Sequence, residues 1–280
     1  MKILKSIYEN EVEVKGISVL KSLFIIMIFT LISGIISFLS TFVMILIDKN
    51  ISIGSVMIIA ELILIPIHMI IIIIVGKKYT QKDIIKINDK KVKINKKDFL
   101  YVFLIIIGYI LIREAILFDI LSQFEGPISE DDIDFFIDNS ETIEVIIFGL
   151  LMYFQTLITA PIFEELLFRG IILNGLLNKY KNSSKKAIIY SAVVFGLVHL
   201  NIPQGINAFI GGIILGLIYY YTKSMKLSIF AHFINNLITF VPIPESLIFK
   251  FSYMVVGIYA IMKVIKYIRN TKIINTSKAN

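Results

Sequence analysis

The chain has no cysteine and no tryptophan, and only 18% of its 280 residues are charged. The absence of cysteine excludes disulfides, thiolate nucleophiles and cysteine-ligated metal sites. The low charged fraction excludes a disordered chain, and it falls below the roughly 25% that soluble domains carry. Hydrophobic residues, in contrast, make up 57% of the chain. This composition predicts an all-α, polytopic integral membrane protein.

Lysine residues are concentrated in short segments between the apolar runs. The chain has 28 basic and 21 acidic residues, which gives a net charge of +7. Such an excess can indicate nucleic-acid binding, but basic residues confined to short loops are typical of the cytoplasmic side of a membrane protein. Residues 77–98 contain nine lysines, whereas residues 125–144 contain eight acidic residues and no basic one. We therefore expect an inner and an outer loop there, membrane lipid as a partner and no nucleic acid.

Eight apolar segments alternate with the loops, and the loop charges agree with a cytoplasmic location of both termini. The predicted spans are residues 22–47, 51–76, 99–118, 143–177, 187–200, 206–222, 227–240 and 247–265. The fifth and seventh segments are short, because a straight span needs about 20 residues. We expect these two segments to be tilted or partly re-entrant.

Several charged and polar side chains interrupt the apolar segments of the second half. A charge at the centre of a spanning helix costs roughly 2.5–3.5 kcal/mol, so each one needs a physical reason. They are Glu164, Glu165 and Arg169 in the fourth span, His199 at the end of the fifth, and His232 and Asn236 in the seventh. At about 1.5 Å of rise per residue, Glu164, His199 and His232 are expected at one depth, in the cytoplasmic half of the bilayer. This coincidence favours a shared polar site over separate packing contacts.

The residue types in this set fit the hydrolysis of an amide. A carboxylate and an imidazole can activate a water molecule as a general base, and a second imidazole with a carboxamide can stabilise the developing oxyanion. The same residues are plausible metal ligands, because two histidines and a carboxylate form a catalytic zinc set. Glu165 and Arg169 are four residues apart and can pair on one helix face, so a structural ion pair is the alternative for that part of the set.

The order and spacing of these residues resemble the CPBP family of intramembrane proteases. This family includes the CAAX prenyl endopeptidases of the Rce1 type and the bacterial Abi and bacteriocin-processing proteins. The motif Glu-Glu-x-x-x-Arg lies at Glu164–Arg169, Phe-x-x-x-His at Phe195–His199 and His-x-x-x-Asn at His232–Asn236. The resemblance covers about residues 145–240. It implies a bundle of about eight transmembrane helices with a cavity that faces the cytoplasm.

The resemblance also implies a role for each motif residue. Glu164 and His199 would activate the attacking water, and His232 and Asn236 would form the oxyanion site. The family is commonly classed as metalloprotease, although a glutamate-dependent mechanism needs no metal. We favour no metal and no other cofactor, because asparagine is a poor zinc ligand and a good oxyanion donor. If zinc is present, its expected ligands are Glu164, His199 and His232.

The residues around this set are expected to support it. Glu165 and Arg169 would orient the first motif. Pro161 lies three residues before Glu164, where it can kink the helix and open the cavity, or begin a new helix after a break at residues 159–160.

The chain is predicted to form one membrane domain, residues 1–280. Its parts are a cytoplasmic N-terminus (1–21), the N-terminal helices with an acidic outer loop (22–142), the catalytic core (143–240), and the last helix with a basic tail (247–280). We expect a multi-pass protein of a prokaryotic cell membrane, with both termini in the cytoplasm.

The leading functional hypothesis is an intramembrane endopeptidase. Its substrate would be a CAAX-type prenylated protein, or a bacteriocin- or leader-like peptide. The alternative is a non-proteolytic immunity or regulatory protein of the same fold that acts by binding. A proton-coupled transporter would use Glu61, His68, Arg113 and Glu114, but it would also predict two related halves, and the sequence shows no internal repeat.

Overall fold

The computed structural model describes residues 2–80, 94–121, 123–124, 134, 136–242, 244 and 246–277, with the backbone alone for residues 267–277. Outside the described residues lie most of the predicted inner loop (77–98), half of the acidic outer loop (125–144) and Lys278 of the basic tail. The described residues are helical, apart from turns, short connections and an isolated bridge between Val14 and Thr80. The predicted all-α class is confirmed.

Ten principal helices account for most of the described residues. In chain order they are α1 (Lys2–Tyr8), α2 (Val19–Ile47), α3 (Ile53–Tyr79), α4 (Lys96–Ile116), α5 (Phe118–Leu121), α6 (Thr142–Lys179), α7 (Ser184–Leu197), α8 (Ile202–Thr222), α9 (Met225–Ile238) and α10 (Leu247–Ser277). Side-chain caps begin several of them. The hydroxyls of Ser18 and Ser52 accept backbone N–H groups at the start of α2 and α3, and Asn201 does the same at the start of α8.

Six of the described helices are long and apolar enough to cross a membrane. They are α2, α3, α4, α6, α8 and the part of α10 up to Lys266. All eight predicted spans are helical, but the fifth and seventh correspond to α7 and α9, which have 14 residues each. That length is below the roughly 20 residues of a full span. The polytopic membrane fold is therefore confirmed, whereas a full crossing by α7 and α9 stays a prediction.

Large apolar side chains lie on the outside of the helices. On α2, Leu20, Phe38 and Ile47 are 68–80% exposed. An aqueous surface does not tolerate such a continuous apolar face, whereas lipid tails are as apolar as leucine. The chain is an integral membrane protein.

Contacts between residues divide the chain into two compact units. The first contains residues 1–90 and 126–229, and the second contains residues 91–125 and 230–280. This division does not test the single membrane domain expected from the sequence, which stays a prediction.

The core of the first unit is centred on the second half of α6. Every residue from Leu166 to Leu173 is buried, whereas the stretch Thr142–Phe154 contains no buried residue. α7 and α8 pack closely beside this core. A Cβ atom on Gly212 of α8 would lie 3.2 Å from the Cα atom of Ala192 of α7, so the small residue permits the close approach.

α6 is continuous, but its hydrogen-bond pattern changes twice. The stretches Gln155–Thr159 and Leu166–Leu173 are π-helical, and the α-helical stretch Ala160–Glu165 lies between them. Thr159 and Ala160 have ordinary helical dihedral angles, so the chain has no break before Pro161. π-helical turns often occur at functional sites, and here the first one precedes the Glu164–Arg169 motif while the second one contains Arg169.

The second unit contains α4 packed against α10. Gly108 and Gly257 face each other across this contact, because a Cβ atom on Gly108 would lie 2.9 Å from the carbonyl oxygen of Gly257. Lys250 pairs with Asp119 at the α5 end of the unit.

Candidate active site

The two adjacent glutamates of the first motif have different surroundings. Glu164 is half-buried, whereas the side chain of Glu165 is fully buried. Successive helical residues point about 100° apart, so one of the two carboxylates can face the protein interior while the other faces a more open side. The two glutamates therefore have different environments, and their separate roles stay a prediction.

Glu165 forms an ion pair with Arg169. The Nη1 atom of Arg169 lies 3.1 Å from Oε1 of Glu165, and both side chains are at most 1% exposed. The pair is held by charge attraction, because Nη1 is not aligned for a hydrogen bond. Ser228 donates its hydroxyl to Oε2 of Glu165 at 2.5 Å, and Nη2 of Arg169 donates to the carbonyl oxygen of Gly212 at 3.3 Å. These bonds offset part of the cost of burying two charges.

The first motif is in contact with the second through an aromatic ring. The guanidinium carbon of Arg169 lies 4.7 Å from the centre of the Phe195 ring, and Phe168 packs edge-on against the same ring at 4.8 Å. The imidazole of His199 packs edge-on against Phe195 from a centroid distance of 5.2 Å. Arg169, Phe195 and His199 thus form a continuous series of contacts.

The orientation of His199 identifies its protonated nitrogen. His199 is half-buried and lies in the turn after α7, where its Nδ1 atom is 2.9 Å from the carbonyl oxygen of Phe195. A carbonyl oxygen only accepts hydrogen bonds, so Nδ1 carries the proton and donates it. In the neutral imidazole, Nε2 is then the nitrogen that can accept a proton.

The third motif lies on α9, in the second unit. His232 is 5% exposed, and Asn236 follows one turn later on the same helix face. The Nδ2 atom of Asn235 donates to Oδ1 of Asn236 at 3.2 Å. The structure thus brings Arg169 of the first motif against Phe195 of the second, which contacts His199, and His232 and Asn236 lie one turn apart on their own helix. The shared site of Glu164, His199, His232 and Asn236 stays a prediction.

Two contributors to the site were not predicted from the sequence. Ser228 hydrogen-bonds to Glu165, and the Gly212 carbonyl accepts from Arg169. Ser228 precedes His232 by four residues, so extending the His-x-x-x-Asn spacing one turn back would have found it. The sequence around Gly212 could not have predicted this contact, because the group that accepts from Arg169 is a backbone carbonyl, which every residue has.

The polar residues outside the motifs have structural partners. Glu61 accepts a hydrogen bond from Gln155 at 2.5 Å, and His68 is hydrogen-bonded to Ser33 at 2.8 Å. Arg113 pairs with the neighbouring Glu114. These contacts agree with a structural role. Within the described ranges, no group of three histidine, aspartate or glutamate side chains has the arrangement of a metal site.

A comparison with known families matches the segment that carries the motifs. Residues 146–238 match the family model described as type II CAAX prenyl endopeptidase Rce1-like. No curated protein and no solved structure matches the chain. The matched segment contains all three motifs, from Glu164 to Asn236. The predicted resemblance is therefore confirmed over residues 146–238, which form an Rce1-like segment related to the type II CAAX prenyl endopeptidases.

Proposed function

We propose that the protein is an intramembrane endopeptidase that hydrolyses a peptide bond in a membrane-associated substrate. Glu164 and His199 activate the attacking water. His232 and Asn236 stabilise the oxyanion, and Glu165 with Arg169 orients the first motif. The general part of this proposal is that the protein is a membrane-embedded hydrolase, and the Rce1-like family match supports it.

The observation that carries the proposal is the series of contacts around Arg169. A fully buried ion pair, an aromatic ring and a histidine link the first motif to the second. A structural ion pair alone would explain Glu165 and Arg169, but it gives no reason for a half-buried second glutamate and an oriented histidine beside them.

The chemistry of water activation fits the two partly accessible groups. Glu164 is half-buried, so its carboxylate is not enclosed in the core as that of Glu165 is. Nε2 of His199 can accept a proton, because Nδ1 donates to Phe195. A water held by these two groups would lose a proton as it attacks the carbonyl carbon of the scissile bond. The same proton can then be delivered to the leaving amine.

The oxyanion role fits the residue types on α9. Oδ1 of Asn236 accepts from Asn235, and Nδ2 is the donor end of this amide. An imidazole N–H of His232 would supply the second donor. Two such donors stabilise the negative oxygen of a tetrahedral intermediate, and removing one typically costs about 100- to 1000-fold in kcat.

The proposed substrate is a prenylated CAAX-type protein or a bacteriocin- or leader-like peptide. The proposed location is the cell membrane of a prokaryote, with both termini in the cytoplasm. The mechanism uses no metal. Zinc held by Glu164, His199 and His232 is the alternative that the experiment below addresses.

The test is cleavage of a farnesylated CAAX reporter peptide by the purified protein in detergent. We expect the wild type to cleave it with or without a strong chelator, and Glu164→Ala and His199→Ala to lose cleavage while remaining folded. Glu61→Ala, which changes another half-buried glutamate of the first unit, serves as the control and should retain activity. Loss of wild-type cleavage with the chelator would contradict the metal-free mechanism. No wild-type cleavage would favour another peptide, or the immunity or regulatory role.

A further inference from the structure

The N-terminal residues 2–18 lie against the helix that carries the first motif. The loop charges predict only a cytoplasmic location for these residues. In the structure, Ile7, Val14 and Ile17 of this segment are at most 2% exposed. The segment precedes the Rce1-like match, which begins at residue 146. A segment outside the central helices is ordered only where contacts hold it, and these three side chains provide such contacts.

Two glycines of α6 form the surface that receives this segment. A Cβ atom on Gly170 would lie 2.4 Å from Cγ2 of Ile7, and one on Gly175 would lie 2.6 Å from Cδ1 of Ile17. Distances this short leave no room for a larger residue. Gly170 directly follows Arg169 in the sequence and belongs to the π-helical stretch Leu166–Leu173. The isoleucine side chains therefore pack on the backbone of the motif-bearing helix itself.

Backbone hydrogen bonds hold the segment in this position. The N–H of Ile17 donates to the carbonyl oxygen of Gly175 at 2.9 Å, and the N–H of Lys15 donates to the carbonyl oxygen of Tyr79 at 2.8 Å. The side chain of Asn178 donates to the carbonyl oxygen of Val14 at 2.6 Å. These bonds attach the segment to both α3 and α6.

A buried polar network connects the segment to the end of the π-helical stretch. The hydroxyl of Tyr219, which is fully buried, donates to Oδ1 of Asn10 at 3.2 Å. Nδ2 of Asn174 donates to this hydroxyl at 2.8 Å and to the carbonyl oxygen of Gly170 at 3.2 Å. Asn10 has a φ of 56°, a left-handed conformation that asparagine adopts more readily than most residues. The network thus joins the N-terminal segment, α8 and the carbonyl of Gly170.

We propose that residues 2–18 form an N-terminal clamp that positions the candidate active site. The clamp fixes the π-helical stretch Leu166–Leu173 and, through it, the direction of Glu165 and Arg169. Its catalytic consequence depends on the proposed endopeptidase function, whereas its effect on α6 does not. A clamp of this kind acts through the motif residues and does not touch the substrate.

The test changes the side-chain sizes of Ile17 and Gly175, which contact each other away from the motif residues. Gly175→Ala places a methyl group where Ile17 lies, so the clamp is displaced. Ile17→Gly combined with Gly175→Ala removes the clash, because the three atoms that lie nearest to the new methyl group, Cδ1, Cγ1 and Cβ, all belong to the side chain of Ile17. Ile106→Ala, at an equally buried position of the second unit, is the control for a general loss of stability.

Two measurements distinguish a failure of the clamp proposal from a failure of the proposed endopeptidase function. The first is hydrogen exchange of the amides of residues 166–173 in detergent. We expect faster exchange in Gly175→Ala, partial recovery in the double variant and no change in Ile106→Ala. The second is cleavage of the farnesylated reporter per folded molecule. We expect kcat of Gly175→Ala to fall roughly 10- to 100-fold with KM little changed, because small displacements of catalytic groups have effects of this size. The double variant should recover part of kcat.

The exchange and cleavage results each test a different part of the proposal. Unchanged exchange of residues 166–173 in Gly175→Ala would overturn the clamp. Faster exchange with an unchanged kcat would overturn its positioning role. A wild type that does not cleave the reporter counts against the proposed function with this substrate, and the exchange result still decides whether the clamp exists.

Discussion

At the scale of single residues, the difference between Glu164 and Glu165 leads to opposite expectations. Glu165 is fully buried and bonded to both Arg169 and Ser228, whereas Glu164 is half-buried. Removing one member of a buried ion pair leaves an uncompensated charge, which typically costs about 3–5 kcal/mol. The first glutamate is therefore expected to matter for the reaction and the second for the fold.

The corresponding prediction separates activity from stability. Glu164→Ala should abolish cleavage with little change in the unfolding temperature. Glu165→Ala should lower the free energy of unfolding by about 3–5 kcal/mol and retain more activity per folded molecule than Glu164→Ala. Thermal unfolding in detergent and reporter cleavage, measured on the same samples, check both statements. Full activity of Glu164→Ala would show that the general base is assigned to the wrong residue.

Ser228 gives a second prediction at this scale. Its hydroxyl is fully buried and donates to Glu165, so Ser228→Ala leaves a carboxylate oxygen without this donor. We expect a loss of about 1–2 kcal/mol in the free energy of unfolding. Ser191→Ala removes a similarly buried hydroxyl from α7 and is the control, with a smaller expected loss. Equal losses in the two variants would mean that the bond to Glu165 has no special contribution.

At the scale of elements, the packing of α4 against α10 depends on two glycines. A Cβ atom on Gly257 would lie 2.7 Å from the carbonyl oxygen of Gly108, and the reverse distance is 2.9 Å. Lipid does not drive helices together as water does, so association of membrane helices depends on close packing and on small residues that permit it. The two glycines therefore set the distance between these helices.

Substitution of Gly257 tests this packing. Gly257→Ala should lower the free energy of unfolding by about 1–3 kcal/mol, because the new methyl group overpacks the contact. Gly149→Ala, in α6, is the control, since a Cβ atom there would meet nothing within 4 Å. The control should be neutral or slightly more stable, as alanine favours helices. Unfolding at increasing fractions of a denaturing detergent measures the free energy of unfolding of both variants. Equal stability of the two variants would contradict the proposed role of the contact.

At the scale of the whole molecule, the loop charges predict the orientation in the membrane. Because the chain has no cysteine, single cysteines can be introduced without removing any native one. Asn50 lies in an exposed turn between α2 and α3, and Asn182 lies in an exposed turn between α6 and α7. With both termini in the cytoplasm, the first turn is outside and the second is inside.

Labelling of intact cells with a membrane-impermeant maleimide checks this orientation. Asn50→Cys should react in intact cells, whereas Asn182→Cys should react only after the membrane is opened. Both variants should be labelled equally in detergent, which controls for the reactivity of each thiol. The reverse pattern would place the termini outside and would contradict the predicted cytoplasmic location of the candidate site.

The amino-acid sequence determined the membrane class, the order of the helices and the motif residues. Long apolar runs and i, i+4 spacings are local features, so helix geometry alone converts them into spans and shared faces. The pairing of Glu165 with Arg169, for example, could be predicted from four residues of separation. The candidate water-activating and oxyanion residues were recognised from the same kind of local spacing together with the family resemblance.

Only the tertiary structure decided which distant residues support the motif. Ser228 is 63 residues from Glu165, and Asn10 is 209 residues from Tyr219. Neither separation has a periodicity that could be read locally, because these contacts depend on how helices pack. The π-helical turns of α6 and the burial of Ile7 and Ile17 against Gly170 and Gly175 likewise follow from packing. Local spacing thus specified the candidate site residues, whereas the packing of sequence-distant segments determined the contacts around Glu165 and Arg169.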